Sequence, residues 1–185
     1  MKLKPGQVAP DFRVRDISGQ PISLSAYHGR KVLLWFARPA ACPLCNVRLW
    51  YLIRRYPEYQ RQGLSVITFF ESSDQVAHQY LDRQQAPFPI VADRQGLIYS
   101  LYGLKTSWMG VLRARLTRGS VYREAEEKGV GVWRTLANVL ALDGPIARMP
   151  ADFLIRPDQR VHQAYYARDA GDFLLFSELE AFLAA

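Results

Sequence analysis

Cysteine and histidine are scarce in this sequence, which has two cysteines and three histidines among 185 residues. A tetrahedral zinc site needs about four ligands. None of the histidines, His28, His78 and His162, has zinc-finger spacing with the cysteine pair. We therefore expect no metal site within one chain, and the two thiols become the first candidates for chemistry.

Long apolar runs are missing as well. No uninterrupted apolar stretch of the sequence is long enough to span a bilayer. The opening residues, MKLKPGQVAPDF, lack the apolar core that a secretory signal needs. We therefore expect a cytoplasmic protein with no membrane partner, whose thiols stay reduced.

The charge is strongly positive but has no local concentration. The net charge is +7 and the isoelectric point is about 9.6, yet no block of lysine and arginine forms an arm or a tail. Nucleic acid is therefore not an expected partner. We interpret the charge as a contribution to solubility and to the steering of anionic partners.

Both cysteines lie in one short stretch, FARPAACPLCN, with Cys42 and Cys45 three residues apart. The stretch follows an apolar run of strand length, and a helix is expected to begin at Pro43, because proline suits the first helical position. Cys42 is then the N-cap, and both sulfurs meet the positive end of the helix dipole, which favours the reactive thiolate. Two small buried hydrophobic residues remain the alternative, whereas a permanent disulfide would close only a tiny loop.

Apolar runs of strand length alternate with helical patterns along most of the chain. This order predicts one domain over residues 1–185, an α/β or α+β sandwich around a mixed sheet. A hairpin is expected around Pro157 and Asp158, followed by a C-terminal amphipathic helix. Ser72 or Ser73 is expected to cap a helix that runs to about Gln85. The predicted strands are Lys31–Ala37, Leu64–Phe70, Pro89–Asp93, Ala151–Ile155 and Arg160–Ala167.

The segment Lys105–Arg148 does not follow this alternation and is predicted to be a helical insertion. One helix is expected around Trp108, Val111 and Leu112, and we expect arginines on the other side of it to face water. The insertion is predicted to cap the cysteine pocket, while cover for a sheet edge or a dimer contact remains an alternative. The arginines are Arg113, Arg115 and Arg118; a second helix is expected to pack down through Val132, Trp133, Leu136 and Leu140.

Met149 and Pro150 come directly before the predicted strand Ala151–Ile155. A cis X-Pro bond beside a dithiol is a recurring device, in which the loop packs on the sulfurs and offers backbone groups to a substrate. The pair is therefore a candidate substrate loop with a cis proline. An ordinary trans proline that begins a strand is the alternative.

Four segments together resemble the AhpC/TSA peroxiredoxin-like family of the thioredoxin superfamily: residues 6–45, 54–73, 86–104 and 149–167. The shared features include APDF near the start and a C-P-x-C helix start after a buried strand. The resemblance implies a thioredoxin-like, peroxiredoxin-type three-layer sandwich with a central mixed sheet. It also implies reduction of a peroxide or a disulfide at the cysteine pair, a thioredoxin, glutaredoxin or small thiol as reductant, and no bound cofactor; a homodimer stays open.

The site departs from the peroxiredoxin pattern Pro-x-x-x-Thr/Ser-x-x-Cys. Cys42 stands where the Thr or Ser is usual, and Cys45 matches the peroxidatic position. The arginine that family members carry before the last strands has its matching place at Pro150, so Arg38 and Arg148 are weak candidates to replace it. Helix physics favours Cys42 as the attacking thiol and the family pattern favours Cys45; we favour Cys42, with Cys45 resolving.

A non-catalytic function is the alternative to this redox hypothesis. The basic, aromatic insertion could hold an anionic partner in a non-catalytic binding module, with the cysteines as core residues. The reactivity of the thiols in the native protein separates the two functions.

Overall fold

The computed structural model describes residues 2–128 and 143–185. Its centre is a five-stranded mixed sheet in the order β5-β4-β3-β6-β7. Strands β3, β4 and β5 are parallel, whereas β6 is antiparallel to β3 and β7 is antiparallel to β6. The strands are β3 (Lys31–Phe36), β4 (Leu64–Phe70), β5 (Ile90–Ala92), β6 (Ala151–Ile155) and β7 (Val161–Tyr166); a separate hairpin pairs β1 (Arg13–Arg15) with β2 (Pro21–Ser23).

The central strands are apolar on both faces because both faces of the sheet are covered. Every residue of β4 is buried, and in β3 every residue after Lys31 is buried. One face carries helices α1 (Pro43–Arg61), α2 (Asp74–Leu81) and α6 (Phe176–Ala184), while the other face carries α3 (Leu97–Leu101) and the N-terminal segment. The predicted sandwich around a mixed sheet is therefore confirmed.

The helices begin close to where the sequence places them. Helix α1 has Cys42 as N-cap and Pro43 at its first position, and it continues through Pro57 to Arg61. Ser73 caps α2, since its hydroxyl accepts from the backbone N–H of Val76. The helices are α1 (Pro43–Arg61), α2 (Asp74–Leu81), α3 (Leu97–Leu101), α4 (Trp108–Thr117), α5 (Gly119–Glu127) and α6 (Phe176–Ala184); short 3-10 segments span Ser25–Tyr27 and Asp82–Gln84.

The two ends of the predicted insertion lie side by side. Thr106 and Arg148 form an isolated antiparallel bridge. The N–H of Ser107 donates to the Ala147 carbonyl at 2.7 Å, and the N–H of Met149 donates to the Lys105 carbonyl at 3.1 Å. The segment thus leaves and re-enters the domain at one point. The helix expected around Trp133, Leu136 and Leu140 lies outside the described residues.

Helix α4 buries small residues and exposes large ones. Gly110 and Ala114 are buried, whereas Trp108 and Leu112 are 69% and 53% exposed. Arg113 and Arg115 are exposed, as expected, but the expectation that Arg118 faces water is wrong, because Arg118 is half-buried and its Nη2 lies 3.2 Å from Asp169. The small face allows close approach: a Cβ on Gly110 would lie 2.4 Å from the Met149 sulfur.

Candidate active site

The cysteine pair lies at the edge of the sheet where β3 and β4 end. The chain leaves β3 at Phe36, forms a short loop and enters α1 at Pro43. Cys42 has extended backbone angles, with φ −68° and ψ 117°, as an N-cap residue requires. The backbone N–H of Cys42 donates to the Pro39 carbonyl at 2.8 Å and closes the loop. The predicted position of the pair at a helix start is therefore confirmed.

Arg38 contacts both sulfurs. Its backbone N–H donates to Cys45 Sγ at 3.3 Å, and its guanidinium Nη1 donates to Cys42 Sγ at 3.3 Å. Both cysteines are free thiols, with exposed fractions of 5% for Cys42 and 0% for Cys45. A cation on the sulfur of Cys42 favours the thiolate over the thiol there.

The two thiols differ in acidity. The hydrogen bond from Cys45, the charge of Arg38 and the N–H groups of Cys45 and Leu44 together lower the pKa of Cys42 to about 6, against the opposing effect of burial. Burial, and then the hydrogen bond to Cys42, raise the pKa of Cys45 well above its ordinary value. Near neutral pH the pair therefore holds a thiolate at Cys42 and a thiol at Cys45.

The Arg38 side chain is itself held in place. It is only 8% exposed, and its Nε donates to the Arg148 carbonyl at 3.2 Å. Its Nη2 donates to the carbonyl of Ile146 in a short hydrogen bond. Of the two weak arginine candidates, the structure thus brings Arg38 to the thiols.

The side chain of Arg148 points away from the sulfurs. Its Nη2 donates to Glu71 Oε1 at 2.7 Å, its Nε donates to the other carboxylate oxygen, and its Nη1 donates to the Leu104 carbonyl at 3.2 Å. Arg148 therefore meets Arg38 through its backbone carbonyl only.

Met149 lies in the apolar cluster that includes both cysteines and is 8% exposed. The predicted cis isomer of the Met149–Pro150 bond is wrong, because no cis peptide bond occurs in residues 2–128 and 143–185. The trans form is the lower in energy for X-Pro bonds. It is compatible with the surrounding pairing, in which the Pro150 carbonyl accepts from the N–H of Ala167 at 3.1 Å.

Ser72, Asn46 and Glu71 are polar residues of the site whose role there is not predicted from the sequence. The Ser72 hydroxyl accepts from the N–H of Ala40 at 2.8 Å. Asn46 Nδ2 donates to the carbonyls of Ala40 and Cys42 at 2.6 and 2.9 Å. The third residue, Glu71, binds Arg148. A signal for Glu71 and Ser72 was present, since polar residues directly after a buried parallel strand lie at the same sheet edge as the cysteines.

Helices α4 and α5 pack against the cysteine cluster. Ala114 belongs to that cluster, and Val111, Val121 and Tyr122 pack against it. Burial raises the pKa of Tyr122, and the charge of Cys42 raises it further, so Tyr122 lies within electrostatic reach of that sulfur.

Other candidates stay apart from the site. His162 is exposed on β7, with its ring 4.8 Å from the Phe182 ring. Within the part of the chain that the structure describes, His, Cys, Asp and Glu side chains form no group of three suited to a metal ion. None of the helices in that part combines the length and apolar character needed to cross a membrane.

A model of the AhpC/TSA family matches residues 5–164 of the chain. Thiol-disulfide oxidoreductase ResA of Geobacillus thermodenitrificans is 32% identical over 100 residues, which are 54% of this chain and 57% of that protein. Chloroplastic peroxiredoxin Q of Triticum aestivum is 26% identical over 117 residues, 63% of this chain and 54% of that protein. The matched regions thus span less than two thirds of these relatives.

Two solved structures are similar over nearly the whole chain. Peroxidoxin BcpB from Mycobacterium tuberculosis has a TM-score of 0.67 at 17% identity, covering 98% of this chain and 95% of its own. A putative thiol:disulfide interchange protein DsbE from Chlorobium tepidum has a TM-score of 0.66 at 21% identity, covering 98% and 99%. The predicted thioredoxin-like, peroxiredoxin-type fold is confirmed.

Proposed function

Because the chain belongs to the AhpC/TSA family, we propose that it is a thiol-dependent oxidoreductase in which Cys42 attacks the oxidant and Cys45 resolves the product. One observation carries the assignment of roles: Cys42 Sγ accepts from the Arg38 guanidinium at 3.3 Å at the start of α1. The thiolate is the nucleophile in this chemistry. Cys45 keeps its proton and lies one helical turn further on, as a resolving thiol should.

The oxidant that the site fits best is a hydroperoxide. Cys42 is 5% exposed and belongs to an apolar cluster with Met149 and Ala114. A small hydroperoxide needs little room at the sulfur, whereas a protein disulfide must bring a folded partner into line with it. The low exposure therefore favours a peroxide over a protein disulfide.

The cycle balances with these two sulfurs and a thiol reductant. The Cys42 thiolate attacks the terminal oxygen of ROOH, the O–O bond breaks, and the alkoxide leaves as the alcohol after taking a proton from water. Cys42 is then a sulfenic acid, whose sulfur Cys45 attacks. The Cys45 proton and the hydroxyl leave as water and a Cys42–Cys45 disulfide forms. Two thiol groups of a reductant, from a small thiol or a thioredoxin- or glutaredoxin-type protein, restore the dithiol.

Peroxide oxidation followed by alkylation and mass spectrometry tests the roles of the two sulfurs. The wild type should give an intramolecular disulfide. Cys42→Ser should abolish the reaction with peroxide, while Cys45→Ser should stop at a sulfenic or over-oxidised Cys42. The opposite pattern would make Cys45 the attacking thiol, and a faster reaction with a protein disulfide such as insulin would overturn the peroxide assignment.

The same measurement addresses the binding-module alternative. In a non-catalytic module, both thiols would stay unreactive toward peroxide and alkylating reagents until the protein is denatured. A native protein that forms the disulfide excludes that alternative.

A further inference from the structure

The position of Arg38 depends on a segment far away in the sequence. Besides Cys42, its guanidinium contacts two carbonyl oxygens, those of Ile146 and Arg148. The two carbonyls thus hold the guanidinium on the side away from Cys42, so we expect a shift of residues 146–148 to change its position relative to the sulfur.

The same segment is anchored by the Arg148 side chain. Its guanidinium forms two hydrogen bonds with the Glu71 carboxylate, one of them 2.7 Å long, and a third with the Leu104 carbonyl. It also lies 5.3 Å from the centre of the Tyr99 ring. Bidentate arginine–carboxylate pairs specify geometry as well as adding energy, so Glu71 determines the direction of Arg148.

Glu71 is enclosed on several sides. Its side chain is 3% exposed. A Cβ on Gly96 would lie 2.4 Å from Glu71 Oε1, and one on Gly144 would lie 2.0 Å from the Glu71 carbonyl oxygen. The close approach of Gly96 leaves the carboxylate little freedom, and that of Gly144 packs the backbone of Glu71 equally tightly. Glu71 therefore occupies a tightly packed position that fixes its side chain.

We propose that Glu71 and Arg148 are positioning residues, which hold the carbonyls of residues 146 and 148 so that the Arg38 guanidinium stays on Cys42. This inference rests on the role of Cys42 in the proposed function. Neither Glu71 nor the Arg148 side chain contacts a sulfur. Both act through Arg38: the Glu71 carboxylate binds the Arg148 guanidinium, and the Arg148 carbonyl accepts from Arg38 Nε.

The sign of one substitution separates positioning from a direct electrostatic effect. Removing the negative charge of Glu71 should, by Coulomb's law alone, make the nearby thiolate easier to form and lower the pKa of Cys42. If Glu71 instead positions Arg38, its loss lets Arg38 move away from the sulfur, and the pKa of Cys42 rises. Glu71→Gln therefore gives opposite results under the two roles.

The experiment measures the rate of alkylation by iodoacetamide at Cys42 as a function of pH, with mass spectrometry identifying the modified cysteine. We expect Glu71→Gln and Arg148→Lys to raise the midpoint by about one pH unit, the lower end of the range for loss of an opposite charge. Glu58→Gln is the matched control, because Glu58 forms an exposed ion pair with Arg61. It should leave the midpoint unchanged.

Combination with Arg38→Met completes the test. In that background, Glu71→Gln should cause no further rise, because the residue through which it acts is gone. An unchanged or lowered midpoint in both single variants would overturn the proposal, even if the variants lose thermal stability. An equal rise in the Arg38→Met background would also overturn it. The midpoint is a property of the thiol and is measured without peroxide, so a failure of the proposed peroxidase activity would be visible separately.

Discussion

Arg38 Nη1 and Cys42 Sγ lie 3.3 Å apart, in a pocket where neither residue is more than 8% exposed. The cation comes from the loop before the cysteines and not from the later position where family members carry it. Because the pair is shielded from water, the guanidinium acts on the sulfur with little screening. The acidity of Cys42 should therefore depend on Arg38 more than on any other single side-chain charge.

Replacing Arg38 by Met should raise the pKa of Cys42 above its value of about 6. Since only the thiolate reacts, a rise of about one to two units would slow alkylation near neutral pH by roughly two- to tenfold. The pH profile of alkylation at Cys42 measures both effects. Arg38→Lys keeps the charge but not the planar fork, and it should shift the midpoint less. Equal midpoints in wild type and Arg38→Met would contradict the assigned role.

The acidity of Cys42 also predicts how stability depends on pH. The pKa of Cys42 is about 6 in the folded protein, against an ordinary value of 9.0 that applies to the unfolded chain. Between these two pH values the unfolded chain therefore binds one more proton than the folded protein. The contribution of the Cys42 thiolate to the free energy of unfolding is therefore fully present above about pH 9, and it is lost as the pH falls through about 6. The upper limit is about 4 kcal/mol, at 1.36 kcal/mol per unit.

Urea unfolding of the reduced protein at several pH values tests this prediction against Cys42→Ser. The difference in unfolding free energy between the two proteins should grow as pH rises from about 6 to about 9. The comparison should stop there, because the pKa of Cys45 is raised by burial and its ionisation in the unfolded chain opposes folding at higher pH. A difference that stays flat or shrinks over this window would contradict a low pKa for Cys42.

Much of the fold could be predicted because its causes are local. The segments that form β3 and β4 are mostly apolar, which is typical of strands covered on both faces. The start of α1 was also readable, since Pro43 suits the first helical position and Cys42 precedes it. The buried face of α4 could not be predicted, because Gly110 and Ala114 are small and a hydrophobic pattern gives more weight to Trp108 and Leu112.

The cysteines could be predicted and Arg38 was a candidate beside them, but the contacts that hold Arg38 on Cys42 could not be predicted. Arg38 lies close to Cys42 in sequence, yet its direction is set by carbonyls at residues 146 and 148, more than a hundred residues later. The link from Arg148 to Glu71 likewise joins residues 77 apart in the chain. Such contacts follow from strand order and from the path of the insertion, neither of which a local pattern contains.

Arg48 of α1 and Asp152 of β6 form a buried ion pair, with Arg48 Nη2 2.6 Å from Asp152 Oδ1. Their side chains are 7% and 1% exposed, and the guanidinium lies 4.8 Å from the Phe173 ring centre. Asp152→Asn should lower the free energy of unfolding by about 3–5 kcal/mol, because it leaves the charge of Arg48 buried without its partner.

The exposed pair Glu58–Arg61 supplies the control for this measurement. Glu58→Gln should cost less than about 1 kcal/mol, since exposed ion pairs contribute little. Joint replacement of Arg48 and Asp152 by Met and Leu should recover most of the loss, because no uncompensated charge remains. Similar costs for Asp152→Asn and Glu58→Gln in urea unfolding would contradict the assignment of Asp152 as the essential counter-charge.

Tyr122 offers a test of the predicted cap. It is half-buried, it packs against the cluster that holds Cys42, and it comes from the segment Lys105–Arg148. If this segment limits what reaches the sulfur, Tyr122→Ala should open a path beside Cys42. The gain should be larger for bulky reagents than for small ones, because small reagents already reach the thiolate.

Alkylation of Cys42 by iodoacetamide and by a maleimide on a polyethylene glycol chain measures this selectivity. We expect Tyr122→Ala to raise the ratio of the bulky to the small rate several-fold. Trp108→Ala is the matched control, since Trp108 is an aromatic residue of the same segment but is 69% exposed on the outer side of α4. It should leave the ratio unchanged. A ratio that is the same in both variants, or an equal acceleration of both reagents by Tyr122→Ala, would mean that this segment supports the fold without selecting substrates by size.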